Sequence, residues 1–259
     1  MKKWIPCLIA IALFTAVSEA GDGISVTILY DNYVHASETK ADWGFACLIE
    51  GTEKTILFDT GTRPDILWHN LRILDIDIDK VEAIVISHNH GDHTGGLSSF
   101  LEKKSGLPVY FPGSFPESFA QGVQGAGAQV HRVSDPVAVC ENVWLTGDMP
   151  GPVHEQGIIL NTSRGLVVIT GCAHPGIADM VERARRILNK DVYLVFGGFH
   201  LMEKSKPEVE GIIERFKKAG VKKCGATHCT GEQQIDWFKQ AYGEDFVPMG
   251  VGRVIKIDW

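Results

Sequence analysis

Three histidines and a carboxylate fall within one short stretch, His88-Asn89-His90-Gly91-Asp92-His93, directly after the apolar run at residues 81–87. That run is rich in β-branched residues and has strand length, so the motif sits where a buried strand ends. Gly91 can supply a tight turn, and Gly95 and Gly96 let the backbone approach the same centre closely. A chain that folds back here presents His88 and His90 to one metal ion, and Asp92 and His93 to a second about 3.5 to 4 Å away. Imidazole and carboxylate together suit Zn²⁺, while Fe or Mn accept the same donors. The competing reading, three histidines gathered in a turn for packing alone, leaves their spacing unexplained.

The motif resembles the H-x-H-x-D-H signature of the metallo-β-lactamase fold superfamily, and Thr55-Ile56-Leu57-Phe58-Asp59-Thr60-Gly61 is similar to the early strand of that fold, which ends in Asp-x-Gly. Three later segments resemble one branch of it: Thr170-Gly171-Cys172-Ala173-His174-Pro175-Gly176-Ile177, Gly197-Gly198-Phe199-His200-Leu201 and Thr227-His228-Cys229-Thr230-Gly231. That branch holds the ribofuranosylaminobenzene 5′-phosphate synthases, also called dihydropteroate-synthase-like proteins. The resemblance extends from Val26 to the C-terminus. It implies an α/β fold, a four-layer αβ/βα sandwich with metals at one edge between the sheets.

His174 follows the strand-like segment 166–170, and His228 follows another short strand-like stretch. We assign His88, His90 and His174 to a first metal and Asp92, His93 and His228 to a second, with water or hydroxide between them. Hydrolytic members of the superfamily place a bridging aspartate in a Gly-Asp turn where this chain has Gly171-Cys172. Whether His174 replaces the later carboxylate or the third histidine stays open from the sequence. For Cys172 a buried-thiol role is favoured over metal or substrate contact and over a disulfide. The resemblance gives Asp59 the task of orienting the metal loop through hydrogen bonds. His200 is the candidate for substrate contact or proton transfer. Glu155 or Gln156 braces a loop or lines the pocket, with a plain turn an equal alternative. Asp148 is a weak candidate for metal contact, and His35, His69 and His131 are read as structural.

The N-terminus has basic Lys2-Lys3, an apolar stretch through Phe14, and small residues ending at Ala20. This reads as a secretory signal peptide over residues 1–20, with residues 21–259 forming a single domain. An uncleaved anchor is the rival, disfavoured because the apolar stretch is short for a bilayer span. The expected location is periplasmic or secreted, without a stable membrane anchor. With 25 Lys and Arg against 32 Asp and Glu, the net charge of −7 argues against general nucleic-acid binding. Metal charge lies outside that sum, so a small anionic substrate fits. Oligomeric state is not legible. Cys47, Cys140, Cys172, Cys224 and Cys229 would remain after cleavage, an odd number whose pairing the sequence leaves open.

Strands are expected at residues 25–30, 44–50, 54–58, 108–111, 130–133, 137–145, 157–161, 166–170, 192–196 and 254–257. Helices are expected at 63–74, 98–105, 177–188 and 207–219. The leading function is a metallo-hydrolase in which metal-activated hydroxide attacks a phosphoester or cyclic ester. The alternative from the branch resemblance is a synthase or transferase acting on a phosphorylated ribosyl or pterin-like compound. Export weighs against it, since such compounds are normally used inside cells. A non-enzymatic metal sensor is the third class, distinguished by a closed coordination sphere.

Overall fold

The computed structural model describes residues 23–258, so the expected signal peptide lies outside the described residues. The first sheet is built from β1 (Ile24–Tyr30), β2 (Ala46–Glu50), β3 (Thr55–Phe58), β4 (Val81–Val85), β5 (Pro108–Pro112) and β6 (Gln129–Val133). The second contains β7 (Val137–Cys140), β8 (Val143–Leu145), β9 (Ile158–Thr162), β10 (Gly165–Thr170), β11 (Val192–Gly198) and β12 (Lys223–Thr227). The C-terminal β13 (Val254–Ile257) returns to pair antiparallel with β1, giving the first sheet the order β13-β1-β2-β3-β4-β5-β6. The second runs β12-β11-β10-β9-β8-β7.

Side-chain alternation explains why the sheets stack. Along β3, Ile56 and Phe58 enter the core between the sheets, while Leu57 turns to the outer face. Along β10, Val167 and Ile169 meet that core, and Leu166 and Val168 face the helices. Strands covered on both sides read as near-continuous apolar runs, which is how the segments before the histidine motif and before His174 appear in the sequence.

Helices α1 (Pro64–Ile73), α2 (Gly91–Thr94), α3 (Leu97–Lys103) and α4 (Glu117–Gly125) belong to the first half of the chain; α5 (Ile177–Leu188), α6 (Lys206–Lys218) and α7 (Glu232–Tyr242) belong to the second. Leu67 of α1, Phe100 of α3 and Val123 of α4 pack on the outer face of the first sheet with Leu57 and Phe111. Val181 of α5, Phe216 of α6 and Phe238 of α7 pack on the second sheet with Val168 and Val195. The result is the helix–sheet–sheet–helix sandwich that the family resemblance implied.

Differences from the sequence reading are local. A 3₁₀ turn, Ile78–Lys80, precedes β4 at the start of the 81–87 run. The 137–145 segment divides into an antiparallel pair around Asn142, whose φ is 61°. Three helices, α2, α4 and α7, were not expected. Helix α4 carries Gly122 and Gly125, which lower helix propensity, and α7 begins without a side-chain cap after Gly231. Tertiary packing of Val123 and Phe238 supplies what local propensity lacks.

Candidate metal centre

Strands β3 and β4 run parallel, as do β10, β11 and β12, so their C-terminal ends open at the same edge of the sandwich. Each delivers functional side chains there: Asp59 after β3, His88 after β4, Cys172 and His174 after β10, His200 after β11, and His228 after β12. Eight non-glycine residues among those described have positive φ. Four of them lie at these strand ends: Asp59 at 56°, Ala173 at 62°, His200 at 53° and His228 at 50°. Such backbone is costly for L-residues and is kept where surrounding contacts impose it, commonly at functional sites.

The side chains form two separate clusters, and Cys172 and His174 also make a third group with His200. His88, His90 and His174 make one; Asp92, His93, Cys172 and His228 make the other; within each, the donor atoms lie within 4.8 Å of one another. His88 Nε2 and His174 Nε2 are buried atoms with no hydrogen-bond partner among the described residues. A buried polar atom left without a partner is costly, and a metal ion resolves that cost for converging imidazole nitrogens. The donor chemistry therefore fits metal ions at both clusters. Burial, reinforced by the surrounding imidazoles, pushes the His88 pKa far down. Burial and His200 bring His174 to about 3, so both rings are neutral and have lone pairs to offer.

The supporting contacts fix which atoms face inward. Asp59 Oδ1 accepts from Ser87 N at 2.7 Å; its Oδ2 accepts from Ser87 Oγ and lies 2.7 Å from His93 Nδ1. That pairing places the proton on Nδ1 of His93 and turns Nε2 toward the second cluster. Burial opposes protonation of His93, yet the carboxylates of Asp59 and Asp92 prevail and raise its pKa to about 8. Asn32 Oδ1 lies 2.9 Å from His228 Nδ1 and orients that ring in the same way. Asp92 Oδ2 lies 3.3 Å from His228 Nε2 and accepts from Trp43 Nε1 at 2.9 Å. Burial would raise the Asp92 carboxyl, but His228 and His93 together hold it well below the usual carboxylate range.

Glu155 is fully buried and braces the loop of residues 171–174. Its Oε1 accepts from the N–H groups of Gly171, Cys172 and Ala173 at 3.1, 2.9 and 2.8 Å, and its Oε2 from His174 N at 2.9 Å. Burial lifts its carboxyl to about 7 despite these four donors. Gln156 ties the end of β4 to β5, its Nε2 donating to Ile86 O at 2.9 Å and Tyr110 O at 3.3 Å.

Cys172 is a buried free thiol, the role favoured from the sequence. Its Sγ also lies 3.3 Å from His93 Nε2, inside the second cluster. His174 lies beside His88 and His90, its donor atom within 4.8 Å of theirs. The signal for Cys172 was its position directly after Gly171 at a strand end. His200 stands exposed at the rim, its ring centroid 4.2 Å from that of His174. Asp148 is turned away, holding Ser114 N at 2.7 Å and His154 Nδ1 at 2.8 Å. His69 pairs with Glu38 O, and His131 stacks on Tyr110. All five described cysteines are free thiols.

A sandwich of this kind, with two donor clusters at the strand ends, defines a metal-utilising enzyme. The sequence pattern of the Metallo-beta-lactamase superfamily matches residues 44–176, and the chain belongs to that superfamily. It is 30% identical to the 7,8-dihydropterin-6-methyl-4-(beta-D-ribofuranosyl)-aminobenzene-5'-phosphate synthase of Methanocaldococcus jannaschii, over 91% of this chain and 97% of that protein. It is similar in structure to Tm1679, described as a metal-dependent hydrolase of the beta-lactamase superfamily, with a TM-score of 0.77 and 27% identity, covering 91% of this chain and 99% of that one. The metallo-beta-lactamase fold protein YhfI from Bacillus subtilis shares the fold at TM-score 0.68 and 15% identity, over 91% of this chain and all of that one.

Proposed function

We propose that this chain is a metal-dependent synthase or transferase acting on a phosphorylated ribosyl or pterin-like compound. The observation that carries this reading is the near full-length similarity to the Methanocaldococcus jannaschii synthase. The cysteine standing where hydrolytic relatives place a bridging aspartate agrees with it. Two divalent ions, Zn²⁺ first and Fe or Mn next by donor type, would supply Lewis-acid stabilisation of negative charge on substrate oxygens. In this reading His88, His90 and His174 hold one ion, and Asp92, His93, His228 and Cys172 hold the other. Asp59 and Asn32 keep the His93 and His228 rings turned inward. Trp43 holds Oδ2 of Asp92, and Glu155 keeps the His174 loop in place. His200, at the rim beside His174, is set to pass a proton to a departing substrate oxygen.

Export directed by residues 1–20, to the periplasm or outside the cell, is proposed with the second reading, hydrolysis, because phosphorylated ribosyl and pterin-like compounds are normally used inside cells. Among the described residues no helix is long and apolar enough to cross a membrane. Hydrolysis of a phosphoester or cyclic ester is the second reading, favoured by the structural similarity to Tm1679. The two separate in one assay, in which metal-loaded protein is offered a phosphorylated ribosyl donor alone, and then together with pterin-like or aminobenzene acceptors. Product that forms only with both substrates supports the synthase reading. Turnover of a single ester without an acceptor establishes the hydrolase instead.

A further inference from the structure

Beside His228 lies a cleft of about 470 Å³ that the metal-site reading leaves without a task. Its walls include Trp43 and Met202, which are 46% and 55% exposed and stand among only five large apolar side chains exposed in the described residues. Two such side chains sharing one cleft beside a reactive centre point to a ligand with an apolar face.

Trp43 is held in place before any ligand arrives. Its indole N–H donates to Asp92 Oδ2 at 2.9 Å, its ring centroid is 5.0 Å from that of His228, and its carbonyl accepts from Thr62 Oγ1. The next residue, Gly44, has φ +145° and lies so close to the Asp92 loop that a Cβ there would stand 2.5 Å from Asp92 O. Met202 is positioned through its backbone, because Gln234 Nε2 donates to Met202 O at 3.1 Å and to Lys204 O at 2.9 Å. A fixed indole and a thioether make favourable surfaces for a flat ring. Glu232 also lines the cleft, and its carboxylate has no hydrogen bond or ion pair among the described residues.

We propose that this cleft is a subsite for a planar nitrogen heterocycle of the aminopyrimidinone type. Trp43 stacks on the ring, Met202 forms the adjoining wall, and Glu232 accepts from the ring's amino and N–H edge. Such an edge presents two parallel donors, which a carboxylate matches with its two oxygens. The inference rests on the pterin-like substrate of the proposed function and names the residues that select the ring. It also makes Trp43 a link between ring and metal site, since the same indole holds Asp92.

Calorimetric titration of the metal-loaded protein with neopterin, and separately with ribose 5-phosphate, tests this. Wild-type protein binds neopterin; W43L weakens it by about tenfold or more, the scale of lost base stacking on an aromatic side chain. W43F loses the N–H to Asp92 but keeps a ring, and retains affinity within about threefold of wild type. E232Q weakens neopterin several-fold without changing ribose 5-phosphate binding, and because W43L and W43F both lose the N–H to Asp92, the difference between them reads the stacking alone. Circular dichroism and metal content of the variants confirm that the fold and site persist. Neopterin binding that is unchanged in W43L, or absent in the wild type, overturns the subsite. If the wild type then still binds ribose 5-phosphate, the phosphoribosyl part of the proposed function survives. Neopterin binding that depends on Trp43, without any ribose 5-phosphate binding, upholds the subsite and removes that part.

Discussion

At the scale of single residues, the site depends on carboxylates and amides that never reach the substrate. Asp59 is the sharpest case, because one buried side chain satisfies Ser87 twice and sets the tautomer of His93. In D59N the amide can match only part of this set. The variant is expected to bind metal at the second cluster about 10 to 100 times more weakly, as seen when outer partners of ligating histidines are lost. Competition with a chromophoric chelator measures this, and wild-type affinity in D59N would show that His93 is oriented some other way. His88, His90 and His93 stood out in the sequence because their chemistry is concentrated in a few consecutive residues. Cys172 did not, because a thiol after a glycine reads equally as packing until the strand end is placed against His93. Trp43 gave no signal either, since a lone tryptophan before a strand has no spacing that marks it.

At the scale of elements, turns carry the chemistry and strands and helices hold them. Most strands were legible because burial on both faces writes itself as continuous apolar sequence, and α6 because charge and capping residues mark its ends. Helices α4 and α7 were not, since glycines and a missing cap hide helices that exist through tertiary packing. The start of α6 offers a direct check. Ser205 and Glu208 form a capping box, and Glu208 also pairs with Lys204 at 2.9 Å. Hydrogen bonds from Lys204 and Ser205 lower the Glu208 pKa to about 2 from 4.5. A depressed carboxyl contributes stability above its unfolded pKa and loses it as pH falls toward the folded value. Wild type should therefore melt above E208Q at pH 6, with the gap narrowing as pH falls from 5 toward 2. A gap that is constant or widens over that range, followed by circular dichroism, would contradict the capping role.

At the scale of the whole molecule, the two halves of the sandwich each supply part of both clusters. His88, His90, Asp92 and His93 follow β4 of the first sheet, while Cys172, His174 and His228 follow β10 and β12 of the second. Metal binding should thus fasten the two sheets together at their functional edge. At a thousandfold excess over the dissociation constant, one ion adds about 4 kcal/mol. Chelation is expected to lower Tm by about 10 °C or more for a chain of this size. An unchanged Tm after complete metal removal would mean that the sheets are joined without it. The layered fold itself was foreseen through the family resemblance, since strand and helix order alone did not decide how the helices cover the sheets.

Anomalous diffraction from crystals of protein purified without chelator tests the central claim most directly, with energies chosen to separate Zn, Fe and Mn. The account predicts two peaks, one among His88, His90 and His174, the other among Asp92, His93 and His228 with Cys172 Sγ in its coordination sphere. A single peak, or none in protein that retains its fold and activity, would contradict it.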